Sequence, residues 1–215
     1  MARDDRPAGR LLITGFGAFP GMAVNPSAVV AARVGAAARL RRAAGGPPRA
    51  VVLRTAYAAL ETELGPLLAE APLAVLMIGV AGRTRRVRVE MRAANRASRL
   101  MPDAGGSPSR RLTLTTSGPA ARWAGPAAAR AEAILRRTGL PVRLSRDAGR
   151  YLCNAAYYRA LAAPCPVLFL HIPKPPRIGP RRRGGPVPRR GWHDRLADAF
   201  AEIAAMLAVQ ARVAT

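Results

Sequence analysis

Leu73-Ala-Val-Leu-Met-Ile-Gly79 is the most apolar run in the chain. It is far too short to cross a membrane and is bounded by Pro72 and Gly79, so it reads as a strand buried on both faces. Upstream, Ala50–Leu53 predicts another strand and Ala58–Glu70 an amphipathic helix, which makes a strand, helix, strand rhythm. Further upstream, Leu11-Leu-Ile-Thr14 is an apolar run ending in a Gly-rich loop that carries Phe16 and Phe19. A helix follows from Pro26-Ser27 to about Leu40 and is stopped by Gly45-Gly-Pro-Pro48. Such alternation at short spacing predicts a largely parallel sheet covered on both faces, with ligands gathering beyond the carboxyl ends of the strands. Gly15–Phe19, Val80–Arg83 and His171 would all lie there.

Downstream, short alternating stretches between Thr84 and Thr116, with a Pro102-Asp-Ala-Gly-Gly106 turn, predict a hairpin-like excursion from the sheet. Ala127–Arg137 should be helical, Pro141–Ser145 a strand, Cys153–Ala162 a helix and Val167–His171 the last strand. Residues 174–190, rich in Pro, Arg and Gly, suit an irregular connection. Within the C-terminal helix expected over 191–212, Leu196, Phe200, Ile203, Ala204 and Leu207 form a stripe that should dock on the domain.

The 215 residues, half of them hydrophobic, are enough for one sizeable core, so a single domain is expected over 1–215, with 1–9 flexible. The net charge of +23 would ordinarily suggest nucleic acid. Lys174 is the only lysine, however, so the excess looks like a coding bias towards arginine. Nonspecific association with polyanions at low salt is expected, but no specific nucleic-acid partner and no membrane. The charged N-terminus lacks the apolar middle of a secretory signal, which points to the cytoplasm and to free thiols at Cys153 and Cys165. His171 and His193 are the only histidines and no Cys/His spacing accompanies them, so no metal or other cofactor is expected.

Cys153 sits where a Gly-containing turn, Ser145-Arg-Asp-Ala-Gly149, gives way to the helix-like run Leu152–Tyr158. Unpaired N–H groups and the positive end of a helix dipole favour thiolate over thiol, which makes Cys153 a candidate nucleophile. Taken alone, such a cysteine is more often a small buried apolar residue. Two groups elsewhere could serve it: His171, closing a strand-like run, and Glu90, inside Arg86-Val-Arg-Val-Glu-Met-Arg92. An imidazole can take the thiol proton and return it to a leaving amine, while a third group holds the ring. Strand alternation puts Arg86, Arg88, Glu90 and Arg92 on one face, where neighbouring guanidinium groups favour a charged carboxylate.

These residues resemble the type I pyroglutamyl peptidases (pyrrolidone-carboxyl peptidases). The resemblance runs in order through Thr14-Gly-Phe-Gly-Ala-Phe19, Asn25-Pro-Ser27, Gly79-Val-Ala-Gly-Arg83, Glu90 with Ala93 and Asn95, Pro102-Asp103, Gly118-Pro-Ala-Ala121, Ala148-Gly149, Cys153-Asn154 and His171-Ile-Pro173. It implies a three-layer α/β/α sandwich around a mostly parallel, mixed sheet, and a Glu90, Cys153, His171 triad. It also implies a peptide or small acyl-amide substrate with an N-terminal pyroglutamyl residue, and homo-oligomers of the kind many relatives form. Phe16, Phe19, Val80, Met101, Tyr151 and Leu152 are the pocket lining expected from their places in the matched motifs. Three positions depart from the family pattern: Val80 stands for glutamine, Leu100 for arginine and Ala104 for asparagine. A second reading is a catalytically weak relative retained as a binding protein, for instance for polyanions.

Overall fold

A computed structural model describes residues 9–176 and 191–214. Most of the flexible start expected over 1–9 and of the connection expected over 174–190 lies outside them. Eight strands form: β1 (Leu11–Phe16), β2 (Arg49–Leu53), β3 (Ala74–Val80), β4 (Val87–Glu90), β5 (Arg92–Ala94), β6 (Ala121–Trp123), β7 (Val142–Ser145) and β8 (Val167–Ile172). Six make one sheet in the order β2-β1-β3-β8-β4-β7, while β5 and β6 pair separately. The pairs β1/β2, β1/β3, β3/β8 and β4/β7 are parallel; β4 against β8 is antiparallel.

Helices cover both faces, as an α/β/α sandwich requires. On one face α1 (Pro26–Gly35), α2 (Arg39–Ala44), α4 (Ala127–Arg137) and α6 (Trp192–Val213) pack over Leu11, Ile13, Leu76, Ile78, Leu168, Leu170, Val87 and Val89. The other face, built from Leu12, Val75, Met77 and Phe169, is covered by α5 (Leu152–Ala160) and α3 (Gly65–Ala69). Alternation along β8 puts His171 with Phe169 on this second face.

Three expectations need correction. The segment expected to leave the sheet over 84–116 does so only from β5, which pairs with β6; its first arm, β4, enters the main sheet between β8 and β7. The helix expected over Pro26–Leu40 is two helices. The one expected over Ala58–Glu70 opens as a π-helical turn, Leu60–Leu64, before α3. Gly65 N–H closes the turn by donating to Leu60 O, five residues back, just before Pro66, which has no N–H to donate to Thr62 O.

Asn154 ties α5 to the sheet. Wholly buried, its side chain accepts from Ala94 N at 2.8 Å and donates to Ala94 O and Arg96 O at 2.9 Å. Tyr157, one turn later, donates to Glu90 O at 2.7 Å. Asn154→Ala would strand these backbone groups and should lower the unfolding free energy by about 2–4 kcal/mol, read as a reduced urea midpoint.

Candidate active site

The register of the sheet sets the site out as a row. Gly79 on β3 is level with His171 on β8, His171 with Arg88 on β4, and Arg88 with Arg143 on β7. Residues in register share a face, so the glycine leaves an opening on one side of the imidazole and the arginines flank the other. Cys153, in the first turn of α5, drops its sulfur into that opening. A Cβ at Gly79 would sit 3.1 Å from Cys153 Sγ and 2.7 Å from Phe169 Cζ.

His171 joins two partners. Its Nδ1 is 2.8 Å from Glu90 Oε1, and on its other side the Cys153 thiol stands close enough to favour the charged ring. Burial alone would push the imidazole down, but the hydrogen bonds and charges of Cys153 and Glu90 overcome it and raise the ring to about 9. Glu90 is fully buried; Arg88 Nε lies 3.0 Å from the same Oε1. Arg88 is itself held, donating to Ser145 Oγ at 2.6 Å and to the Asp147 carbonyl. Sequence alternation had already put Arg88 and Glu90 on one face.

Local structure explains the helix start. Gly149 turns the chain at φ +86°, a region costing an L-residue about 1–2 kcal/mol. Asp147 Oδ1 accepts the Gly149 N–H, Tyr151 in an extended conformation opens α5, and its hydroxyl donates to Pro102 O. The first bond of the helix runs from Ala155 N–H to Tyr151 O, so the N–H groups of 152–154 have no partner within the helix.

A cavity of about 960 Å³ opens over this row. Phe16, Phe19, Val80, Met101, Tyr151 and Leu152 all line it, together with Cys153 and His171. The loop bearing Phe16 and Phe19 is fixed by the Asn25-Pro-Ser27 motif: Phe16 N–H donates to Ser27 Oγ, Asn25 Nδ2 to Gly17 O, and Thr55 Oγ1 to Gly17 O. Leu100 also lines the cavity but is 91% exposed, and Ala104 meets the site only through its N–H, bonded to Thr55 O. Cys165 is not among the lining residues; packed into the core, its thiol is pushed up to about 11 by burial. The two cysteines are unbridged. No cluster of metal-ligating side chains occurs among the described residues, and no helix there is long and apolar enough to cross a membrane.

A pyroglutamyl peptidase family model matches residues 9–188. The chain belongs to the pyroglutamyl peptidase family. It is 33% identical over 181 residues to a pyrrolidone-carboxylate peptidase of Gloeobacter violaceus, covering 81% of this chain and 86% of that one. The likeness to the enzyme of the same name from Streptomyces coelicolor is also 33%, over 80% and 81%. In structure it is similar to pyroglutamyl peptidase I of Bacillus amyloliquefaciens, with a TM-score of 0.75, 26% identity and coverage of 93% and 96%. The pyrrolidone carboxyl peptidase of Thermus thermophilus gives a TM-score of 0.72 and 30% identity over 91% and 97%. This pyroglutamyl peptidase is therefore a hydrolase of the cysteine type.

Gly79 was quoted in the sequence as part of a motif, and the structure adds its physical reason. Gly79→Ala should displace the Cys153 sulfur and slow alkylation by iodoacetamide at least tenfold, measured by intact-mass kinetics, while circular dichroism stays native.

Proposed function

We propose that Cys153, His171 and Glu90 divide the work of hydrolysis. The chain is a cysteine exopeptidase that cleaves the amide bond after an N-terminal pyroglutamyl residue. The observation that carries the assignment of roles is the His171 ring, held at Nδ1 by buried Glu90 Oε1 and lining one cavity together with Cys153. Cys153, as thiolate, attacks the carbonyl carbon and the oxygen takes up the charge, facing the free N–H groups at the start of α5. The C–N bond breaks as His171 hands its proton to the departing amine, leaving a thioester. Water, deprotonated by His171, then attacks the thioester; the thiol departs and pyroglutamate is released. Glu90 holds the Nδ1 side of the ring, which fixes the tautomer and favours the imidazolium.

Pyroglutamate is a neutral lactam, so its recognition rests on shape and apolar contact rather than on an ion pair. Phe16, Phe19, Val80, Met101, Tyr151 and Leu152 supply that lining. A free nucleophilic thiol suits a reducing compartment, so we assign the protein to the cytoplasm, as one domain able to self-associate. The convergence of thiol, imidazole and carboxylate favours an enzyme over a silent polyanion binder.

Two measurements test this. Cys153→Ala should lower hydrolysis of a fluorogenic pyroglutamyl amide more than about a thousandfold, whereas Cys165→Ala should keep it; the reverse pattern would move the nucleophile. In the pH profile, the imidazolium needed to protonate the amine persists up to its raised value, so kcat/KM should fall as pH rises through about 9. Glu90→Gln removes a charge that favours the imidazolium and should shift this alkaline limb to lower pH.

A further inference from the structure

The cavity lining combines the apolar and aromatic residues above with a set of cations. These are Arg83, Arg88, Arg143 and Lys174, and Asp147 is the only acid among the lining residues. Arg88 is neutralised by Glu90 and tied to Ser145 and the Asp147 carbonyl. Asp147 Oδ1 is engaged by the Gly149 N–H. Arg83, Arg143 and Lys174 form no ion pair with any described residue, and Lys174 lies across Gly82, in the space a Cβ there would take. Three unpaired cations thus face one occupied carboxylate.

Their placement follows the path of the leaving group. Arg143 stands in the row Gly79, His171, Arg88, Arg143, two strands from the imidazole and therefore about 10 Å from it between Cα atoms. Lys174 lies just beyond the carboxyl end of β8, three residues after His171. The amine expelled in the first half-reaction must meet His171, and a peptide advances only about 3.5 Å per residue. The first one or two residues beyond the scissile bond therefore fall among these cations.

Resting on the peptidase reading above, we propose that these cations select pyroglutamyl peptides whose leaving portion carries a carboxylate within one or two residues of the cleaved bond. An acidic side chain and the free α-carboxylate of a short peptide offer the same chemistry. Exposed as Arg83, Arg143 and Lys174 are, a guanidinium or ammonium binds either through charge-assisted hydrogen bonds that salt weakens.

Matched substrates separate the sources: pyroglutamyl-glutamate amide against pyroglutamyl-glutamine amide for the side chain, and pyroglutamyl-alanine against its amide for the terminus. In the wild type at low ionic strength, kcat/KM for the acidic member of at least one pair should exceed its neutral partner roughly five- to tenfold. The ratio should fall towards one at high salt and in Arg143→Gln/Lys174→Gln. Because the whole chain is basic, Arg41→Gln/Arg130→Gln removes the same charge from exposed positions on α2 and α4, over the opposite face of the sheet, and should leave the ratio unchanged. Turnover of the neutral members reports the peptidase reading separately. Equal turnover within both pairs, or a ratio lost equally in the control variant, overturns this inference alone; no turnover of any of the four overturns both.

Discussion

The antiparallel pairing of β4 against β8 is the constraint on which the site depends. Every other contact in the main sheet is parallel, and parallel strands alone would deliver only the loops at their carboxyl ends. Inserting one reversed strand beside β8 sets Arg88 level with His171 and Glu90 level with Phe169, so a carboxylate is carried into the interior next to the ring. A buried carboxylate is costly unless paired. Here His171 Nδ1 and Arg88 Nε both approach Oε1, while Oε2 has no partner among the described residues. Glu90 is thus held to one geometry, and the imidazole with it.

That constraint also shows what could be read from the chain and what could not. β1, β3 and β8 are continuous apolar runs because each is covered on both faces, so the parallel half of the sandwich was legible. The alternating Arg86–Arg92 stretch carries the same pattern as a half-exposed hairpin arm, and nothing local distinguishes the two. What buries Arg88 and Glu90 is pairing with β7, more than fifty residues away, and with β8, about eighty away. The helix boundaries failed for a different reason. Apolar spacing marks the face of a helix but not its hydrogen-bond register, and the π-helical turn before Pro66 changes that register without altering the spacing.

In the site, side chains that the collinear motifs singled out meet at one cavity: Cys153 and His171 with Phe16, Phe19, Val80, Met101, Tyr151 and Leu152, from five separate segments, while Glu90 is buried behind the ring. Missed were groups whose part is geometric or is masked by composition. Gly79 matters through the atoms it lacks. Arg143 and Lys174 could not stand out in a chain with 35 basic residues against 12 acidic ones, because nearly any segment offers a candidate cation. Only strand register shows that Arg88 and Arg143 continue the line begun by Gly79 and His171.

The departures from the family pattern take on a physical sense within the same cavity. Val80 and Leu100 put hydrocarbon where glutamine and arginine are usual, which removes polar side chains from two places on the wall. Val80 lies in register with Ile172 at the end of β8, and Leu100 projects almost wholly into solvent, so neither change leaves a buried polar group without a partner. Of the cations, Arg143 lies on β7, two strands from the imidazole, while Arg83 and Lys174 lie beyond the carboxyl ends of β3 and β8. An apolar acyl half set against a positive leaving half means that the two products experience opposite environments once the amide is cleaved. The lactam is held by contact and desolvation, which salt barely alters, while the departing amine is held by charge, which salt weakens. Recognition of the two halves of one substrate is thereby placed under separate physical control.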